Sequence, residues 1–318
     1  MQCIKYWEFE SKVTTLYNQK KYREALNLLE HALEYLSKQE FHKYLFEIML
    51  LKAEFYCNEE MYKEAINVIS YLLNEGFACD NDIFDVAHLK EDVRYVELKK
   101  KNDTLLKNAS EKARFKYVVK LPANYIKGKK YPLFIALHGD PGNIDEFSEY
   151  WKPNEFLKKD FIFVYVQSSQ LYRHNGFSWT INPLTSRAEI KECYNLILEE
   201  YSIDEKCVMI GGFSGGAITA LDITFAGVIP IKGFIAIGPD LPKSFTKDNV
   251  KLAAERGVRG IFMEGEILVP LEEQEEMIEV FEEFDIHYEF YVNKGIGHAI
   301  PKDLSDKLSK ALSFICNY

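Results

Sequence analysis

The chain has 318 residues, of which 49 are acidic and 39 are basic, so its formal net charge is −10 at neutral pH. This excess of negative charge argues against nucleic acid or an anionic membrane as a partner. No uninterrupted apolar run approaches the roughly 18 residues that a membrane span needs, and the first residues lack the basic and apolar regions of a signal peptide. The six cysteines are scattered without C-x-x-C pairs, and we therefore expect reduced thiols in a cytoplasmic protein.

Residues 1–108 are predicted to form a helical domain, because they contain no proline and a single glycine, Gly76. A six-residue pattern occurs twice in this region: Lys21–Leu26 is KYREAL, and Met61–Ile66 is MYKEAI. A polar turn precedes each copy, and apolar residues at helical spacing come after it. The pattern therefore predicts two helical hairpins that are related by a shift of 40 residues.

These two hairpins resemble tetratricopeptide repeats, with Tyr22 and Tyr62 at the family's aromatic packing position and Ala25 and Ala65 at its small one. The shift is longer than the family's usual period of about 34 residues, and the terminal proline is missing. Two interpretations stay open. The domain is either a divergent repeat that offers a surface to a protein or peptide partner, or a helical bundle in which the six-residue pattern recurs by chance.

A third helix is expected over residues 83–106, just before the polar segment that ends the helical domain. Its apolar stripe is predicted from helical spacing and consists of Val86, Leu89, Val93 and Val96. The pattern then changes to alternation, which is typical of a strand. We therefore predict a second domain over residues 109–318.

Residues 109–318 alternate between apolar strands and helices, which is typical of an α/β fold with a mostly parallel sheet flanked by helices. The strands are predicted at residues 114–121, 131–137, 161–166, 207–210, 233–237, 258–263 and 286–292. The turn His138–Asn143 (HGDPGN) follows the second of them, and a helix is predicted after this turn, from about residue 145 to 158. A long irregular segment over residues 168–185 follows the third. Segments at this edge of such a sheet commonly form the binding site.

The segment Gly212–Gly216 matches the pattern G-x-S-x-G between a buried strand and a helix. This is the pattern of a nucleophile elbow, in which a strained turn exposes the hydroxyl of the central serine, here Ser214. The flanking glycines are needed because strand and helix approach closely there. The following helix also directs backbone N–H groups towards an anion that forms beside Ser214.

A nucleophilic serine needs a base, and two histidines follow Ser214 in the sequence. His287 belongs to an alternating strand, whereas His298 lies in a glycine-rich loop just after that strand. With these features the sequence resembles the α/β-hydrolase superfamily, in particular its carboxylesterase/phospholipase-like branch. The resemblance implies that His298 is the base. It also implies an acid after the preceding strand, four residues before a proline. Glu266 has this position relative to Pro270. Glu264 stays open as the alternative acid.

The same resemblance implies an oxyanion hole made of two backbone N–H groups. One belongs to Gly215, directly after the nucleophile, and the other to Asp140 in the turn after the second strand. The Asp140 carboxylate is expected to point away from the developing negative charge. His138 in the same turn is expected to be structural.

Three large aromatic side chains of the irregular segment over residues 168–185 are expected to line a wall of the substrate pocket. They are Tyr172, Phe177 and Trp179. The sequence thus predicts a serine hydrolase that cleaves a small carboxylic ester through an acyl-enzyme, with no metal and no organic cofactor. Two alternatives are a serine peptidase of the same superfamily and a non-catalytic peptide-binding scaffold.

Overall fold

The computed structural model describes residues 3–85, 92–267 and 271–316. In this part of the chain, none of the helices combines the length and the apolarity that crossing a bilayer requires. The contacts between residues divide the chain into two compact units. The first contains Met1–Ala113 and also Leu171–His174, and the second contains Arg114–Gln170 and Asn175–Tyr318.

The described backbone of residues 3–85 and 92–110 in the first unit is mostly helical, as the sequence predicts. Its elements are α1 (Tyr6–Asn18), α2 (Tyr22–Glu30), α3 (Ala32–Tyr35), α4 (Lys38–Lys43), α5 (Leu45–Asn58), α6 (Tyr62–Asn74), the 3-10 helix η1 (Asp82–Phe84) and α7 (Val93–Ser110). Helix α1 pairs with α2 and α5 pairs with α6. The apolar faces of these helices form the core of the unit.

The two hairpins of this unit end their first helices with the same turn. Lys20 and Glu60 both adopt a left-handed conformation with φ near 59°. In the first turn Lys21 N–H donates to the Leu16 carbonyl at 2.9 Å, and in the second Met61 N–H donates to the Tyr56 carbonyl at 2.8 Å. This is the Schellman arrangement of a helix C-terminus. The repeat seen in the sequence is therefore also a repeat of backbone geometry.

The third predicted helix of this unit differs from the expectation. Helix α7 begins only at Val93, whose side chain is 70% exposed, and Val96 is 39% exposed, so the predicted stripe is wrong for both residues. Val86 and Leu89 lie outside the described residues. The buried face of α7 instead contains Tyr95 and Asn102. The Asn102 carboxamide exchanges two hydrogen bonds with the backbone of Cys79, at 2.8 and 3.0 Å, which compensates the burial of this polar group.

The second unit is an α/β structure built on a seven-stranded sheet. Its elements are β1 (Lys116–Lys120), β2 (Tyr131–Leu137), α8 (Ile144–Tyr150), α9 (Asn154–Lys158), β3 (Ile162–Gln167), β5 (Gly176–Phe177), α10 (Pro183–Glu200), β6 (Ile203–Phe213), α11 (Gly215–Phe225), β7 (Gly233–Ile237), α12 (Lys247–Glu255), β8 (Arg259–Gly265), α13 (Leu271–Glu283), β9 (His287–Asn293) and α14 (Leu304–Cys316). The short strand β4 (Leu171–Arg173) belongs to the first unit.

The strand order in this sheet is β1-β3-β2-β6-β7-β8-β9. Strand β1 runs antiparallel to β3, and every other neighbouring pair is parallel. Apolar side chains form a separate core on each face of the sheet. The predicted mostly parallel sheet flanked by helices is therefore confirmed.

The register of the central strands determines where the site forms. Leu137 at the end of β2 pairs with Gly212, and Phe213 at the end of β6 pairs with Ile237. Ile237 in turn pairs with Met263 in β8. Because the carboxyl ends of parallel strands meet at one edge, the segments after β2, β6, β7 and β8 emerge side by side.

Candidate active site

Ser214 lies between the end of β6 and the first turn of α11, at the carboxyl edge of the sheet. Its backbone has φ 51° and ψ −122°, a conformation that costs a non-glycine residue about 1–3 kcal/mol. The Ser214 N–H donates to the carbonyl of Ile237 at 2.8 Å, and its carbonyl accepts from Ile218 N–H at 2.9 Å. These contacts hold the serine in the strained turn that its sequence pattern predicts.

Two glycines make this turn possible. A Cβ at Gly212 would lie 2.6 Å from the carbonyl carbon of Gly216, and a Cβ at Gly216 would lie 2.2 Å from the carbonyl oxygen of His138. Both neighbours are backbone atoms, which cannot move aside as a side chain can. The spacing of the two glycines in the sequence therefore reflects a close approach of β6, α11 and the turn after β2.

His138 in that turn is structural, as expected. It is fully buried, and burial lowers the pKa of its imidazole, so the ring is neutral. Its Nδ1–H donates to the Gly139 carbonyl at 2.7 Å, and its Nε2 accepts from Ser168 N–H at 3.4 Å. Both ring nitrogens are thus used within the protein.

The Asp140 carboxylate in the same turn points towards the segment over residues 178–180. It accepts hydrogen bonds from the side chains and backbone of that segment, at distances of 2.6 to 3.1 Å. The backbone N–H of Asp140 remains the proposed oxyanion donor. Sequence analysis placed Asp140 in the turn but did not identify these partners.

His298 packs at the same edge of the sheet as Ser214. The centroid of its ring lies 4.9 Å from that of Phe213, the residue before the nucleophile. A Cβ at Gly238 would lie 2.9 Å from His298 Nδ1, so the ring lies against the loop after β7. Within the described residues no hydrogen bond joins His298 to Ser214. Such bonds are often long without substrate and tighten in the reacting complex.

The pKa of the His298 imidazole lies below its usual value of 6.5, because burial disfavours the charged form, while the negative charge of Asp240 acts in the opposite direction. The ring is therefore neutral at pH 7, the state that a general base requires. Asp240 follows β7 at the same edge of the sheet, and sequence analysis did not assign it a role. Its carboxylate is exposed and borders an open hollow of about 450 Å³.

Of the two predicted acids, Glu264 is the penultimate residue of β8 and Glu266 directly follows that strand. Glu266 is exposed, and its carboxylate accepts from Gly295 N–H at 2.9 Å, in the loop that leads to His298. Glu264 is buried, and its carbonyl accepts from the Asn293 carboxamide at 2.9 Å. Pro270, which the assignment of Glu266 uses, lies outside the described residues.

The three predicted pocket residues have different environments. Phe177 is half-buried and exchanges two backbone hydrogen bonds with Gly142, both at 2.9 Å. Trp179 is fully buried in the core and lies 5.1 Å from the His138 ring, so the prediction that it lines the pocket is wrong. Tyr172 belongs to the first unit, where its hydroxyl donates to Asp82, and its place in the pocket stays a prediction. Their shared position in one irregular segment of the sequence does not distinguish these three environments.

Metal ligands and a cofactor were not expected from the sequence. Among the residues that the structure describes, no three His, Cys, Asp or Glu side chains are grouped to hold a metal ion. At the carboxyl edge of the sheet the candidate site contains the Ser214 hydroxyl, the His298 imidazole and nearby carboxylates.

Comparison with known proteins shows what the second unit resembles. Residues 183–316 match the model of the family described as Phospholipase/Carboxylesterase. The uncharacterized protein from Bacillus cereus ATCC 10987 is 25% identical over 99% of both chains, with a TM-score of 0.55. The mostly parallel sheet is that of an α/β-hydrolase fold, and the family match over residues 183–316 supports an esterase-like hydrolase that follows an N-terminal helical region.

Two named esterases show a weaker likeness. The carboxylesterase of Bacillus cereus is 17% identical over 64% of this chain and 96% of its own, with a TM-score of 0.47. Esterase 2 of Thermogutta terrifontis is 15% identical over 64% of this chain and 86% of its own, with a TM-score of 0.48. No curated protein matches the chain significantly.

Proposed function

We propose that the chain hydrolyses small carboxylic esters through an acyl-enzyme on Ser214. The observation that carries this proposal is the strained backbone of Ser214, with φ 51°, at the junction of β6 and α11. A fold retains such strain where the geometry is used, because an unstrained residue would be more stable there. The strained conformation presents the Ser214 hydroxyl to a substrate at the carboxyl edge of the sheet.

The mechanism uses groups that surround this edge. The Ser214 oxygen attacks the ester carbonyl while its proton passes to His298 Nε2. The N–H groups of Gly215 and Asp140 stabilise the tetrahedral oxyanion, a contribution of about 3 kcal/mol for each donor. His298 then gives the proton to the departing alcohol. A water molecule, deprotonated by His298, then attacks the acyl-enzyme. His298 returns that proton to the Ser214 oxygen as the carboxylic acid departs.

A fluorophosphonate probe tests the nucleophile directly. We expect one covalent adduct per chain, located on Ser214 by peptide mass spectrometry, because the probe reacts with activated serines and imitates the oxyanion after attack. The protein unfolded in urea is the matched control and should not react. Labelling of another serine, or no labelling of the folded protein, would contradict the proposal.

The acid of the triad is proposed to be Glu266, which the family resemblance favours and which bonds to the loop that carries His298. Glu266→Gln keeps a hydrogen-bond acceptor for Gly295 but removes the charge, and we expect kcat to fall about 100-fold or more. Glu264→Gln should cost less than tenfold. The result to measure is kcat for p-nitrophenyl acetate in both variants. A larger loss in Glu264→Gln would transfer the assignment to Glu264.

Asp240→Asn is the third carboxylate variant to compare with Glu266→Gln and Glu264→Gln. Its main effect should be on the pH dependence of kcat/KM. Because the Asp240 charge favours the imidazolium, its removal should lower the pKa of His298 further. The acidic limb of the kcat/KM profile, below pH 6.5 in the wild type, should then move to lower pH. If kcat falls more in this variant than in Glu266→Gln, Asp240 is the acid instead.

The helical unit is proposed to bind a protein or peptide partner, as its resemblance to tetratricopeptide repeats implies. The repeated hairpin geometry supports this proposal. A small ester remains the proposed substrate of the second unit.

A further inference from the structure

Asp140 occupies a position where an acidic side chain is unexpected. Its backbone N–H is one of the two proposed oxyanion donors, and a negative charge beside a developing oxyanion would raise the barrier. The side chain is only half-buried. Its hydrogen bonds explain how the charge is accommodated.

Four donors from three consecutive residues converge on the carboxylate. The Ser178 hydroxyl donates at 2.6 Å, and the Trp179 N–H lies 2.9 Å from both oxygens. Thr180 donates from its hydroxyl at 2.9 Å and from its N–H at 3.1 Å. Charge-assisted bonds of this kind are about twice as strong as neutral ones. The negative charge is therefore directed towards this segment and away from the oxyanion position.

The same carboxylate lies against the other proposed oxyanion donor. A Cβ at Gly215 would lie 2.2 Å from Asp140 Cγ and 2.4 and 2.6 Å from its two oxygens. The carboxylate thus contacts the Cα of Gly215 directly. A glycine is required there so that the carboxylate can occupy this position.

The segment that binds the carboxylate is itself held firmly. Phe177 pairs with Gly142 at the end of the oxyanion turn, and Ser178 N–H donates to the Gln170 carbonyl at 2.8 Å. The Trp179 side chain is fully buried in the core. The residues that hold Asp140 are therefore anchored independently of Asp140.

We infer that the Asp140 carboxylate is a positioning group for ester hydrolysis: it fastens residues 178–180 to the oxyanion turn, packs against Gly215, and so fixes both oxyanion donors. The inference rests on the function proposed above. It assigns to the side chain a role that is separate from the N–H group of the same residue, since every substitution at this position except proline keeps that N–H.

Asp140→Asn tests this role with a side chain of the same shape. One carboxylate oxygen becomes an amide NH₂ that faces donors and cannot accept from them. We expect kcat for p-nitrophenyl acetate to fall about 10- to 100-fold. This decrease is no larger than the decrease in kcat that follows removal of an entire oxyanion donor. KM should stay within threefold, because the oxyanion exists only in the transition state. The affinity for a trifluoromethyl ketone, which forms a tetrahedral adduct, should fall in parallel with kcat.

Ser178→Ala and Thr180→Val decide the question if Asp140→Asn does not fold. Each variant removes one hydroxyl that donates to the carboxylate and leaves Asp140 itself unchanged. Each should lower kcat by about three- to tenfold with an unchanged KM. Unchanged kcat in both would overturn the inference.

Asn182→Ala is the matched control. Asn182 caps α10, two residues after Thr180, by accepting from the N–H groups of Leu184 and Thr185 at 3.1 and 3.4 Å. Its loss should lower the melting temperature but leave kcat within twofold. A wild-type kcat in Asp140→Asn, with normal fluorophosphonate labelling, would refute the positioning role alone. Absence of labelling in the wild-type protein would instead refute the proposed function.

Discussion

Ser214→Ala is expected to lower kcat for p-nitrophenyl acetate about 10⁴-fold or more, because the acyl-enzyme can no longer form. The alanine side chain keeps the left-handed backbone and removes the hydroxyl alone. The melting temperature should therefore stay close to that of the wild type. The measurement is steady-state hydrolysis after removal of contaminating esterases, together with a thermal unfolding curve.

Ser214→Gly separates the strain from the chemistry. Glycine adopts φ 51° without a steric penalty, so this variant should be inactive and about 1 kcal/mol more stable than the wild type. Ser148→Ala, which changes a serine on α8, is the control and should keep full activity. Undiminished turnover by either Ser214 variant would exclude Ser214 as the nucleophile.

Gly216→Ala is expected to have the largest effect on stability. The added Cβ would lie 2.2 Å from the carbonyl oxygen of His138 and 2.5 Å from that of Leu137, which are backbone atoms of the turn after β2 and of the last residue of β2. Relief of this clash requires α11 or that turn to shift, at a cost of about 3 kcal/mol. Because the same shift displaces the oxyanion donors, kcat should also fall about 100-fold or more.

Gly128→Ala provides the comparison for that variant. Gly128 has φ 89°, and a Cβ there would meet no atom within 4 Å. Its replacement adds backbone strain without a clash, and we expect a loss of about 1 kcal/mol in the free energy of unfolding with full activity. Equal losses of stability in the two variants, measured by urea unfolding, would show that the close approach at Gly216 does not affect the free energy of unfolding.

Several elements could be predicted because their signals are local. The strand over residues 131–137 is continuous in apolar residues, and the structure forms β2 at Tyr131–Leu137. The turn around Ser214 is encoded by glycines two residues to either side. By contrast, one helix expected from residue 145 to 158 is two, α8 and α9, which Trp151, Lys152 and Pro153 separate.

Other predictions failed because spacing does not reveal what a side chain meets. Val93 and Val96 have helical spacing, yet both are exposed, and α7 buries Asn102 instead because Cys79 offers it two backbone partners. Trp179 lies in an irregular segment, as a pocket residue would, but its ring is part of the core. Burial depends on neighbours that are distant in the chain.

The sequence by itself determined the order of strands and helices, the strained turn at Ser214 and the glycines that permit it, because hydrophobic period and backbone conformation are properties of neighbouring residues. Only the tertiary structure decided which groups meet at the edge of the sheet. The Asp140 carboxylate and its donors are 38 to 40 positions apart, and Asp240 approaches His298 from a different strand end. Parallel strand pairing brings such residues together, and no local sequence pattern predicts which residues become neighbours in space.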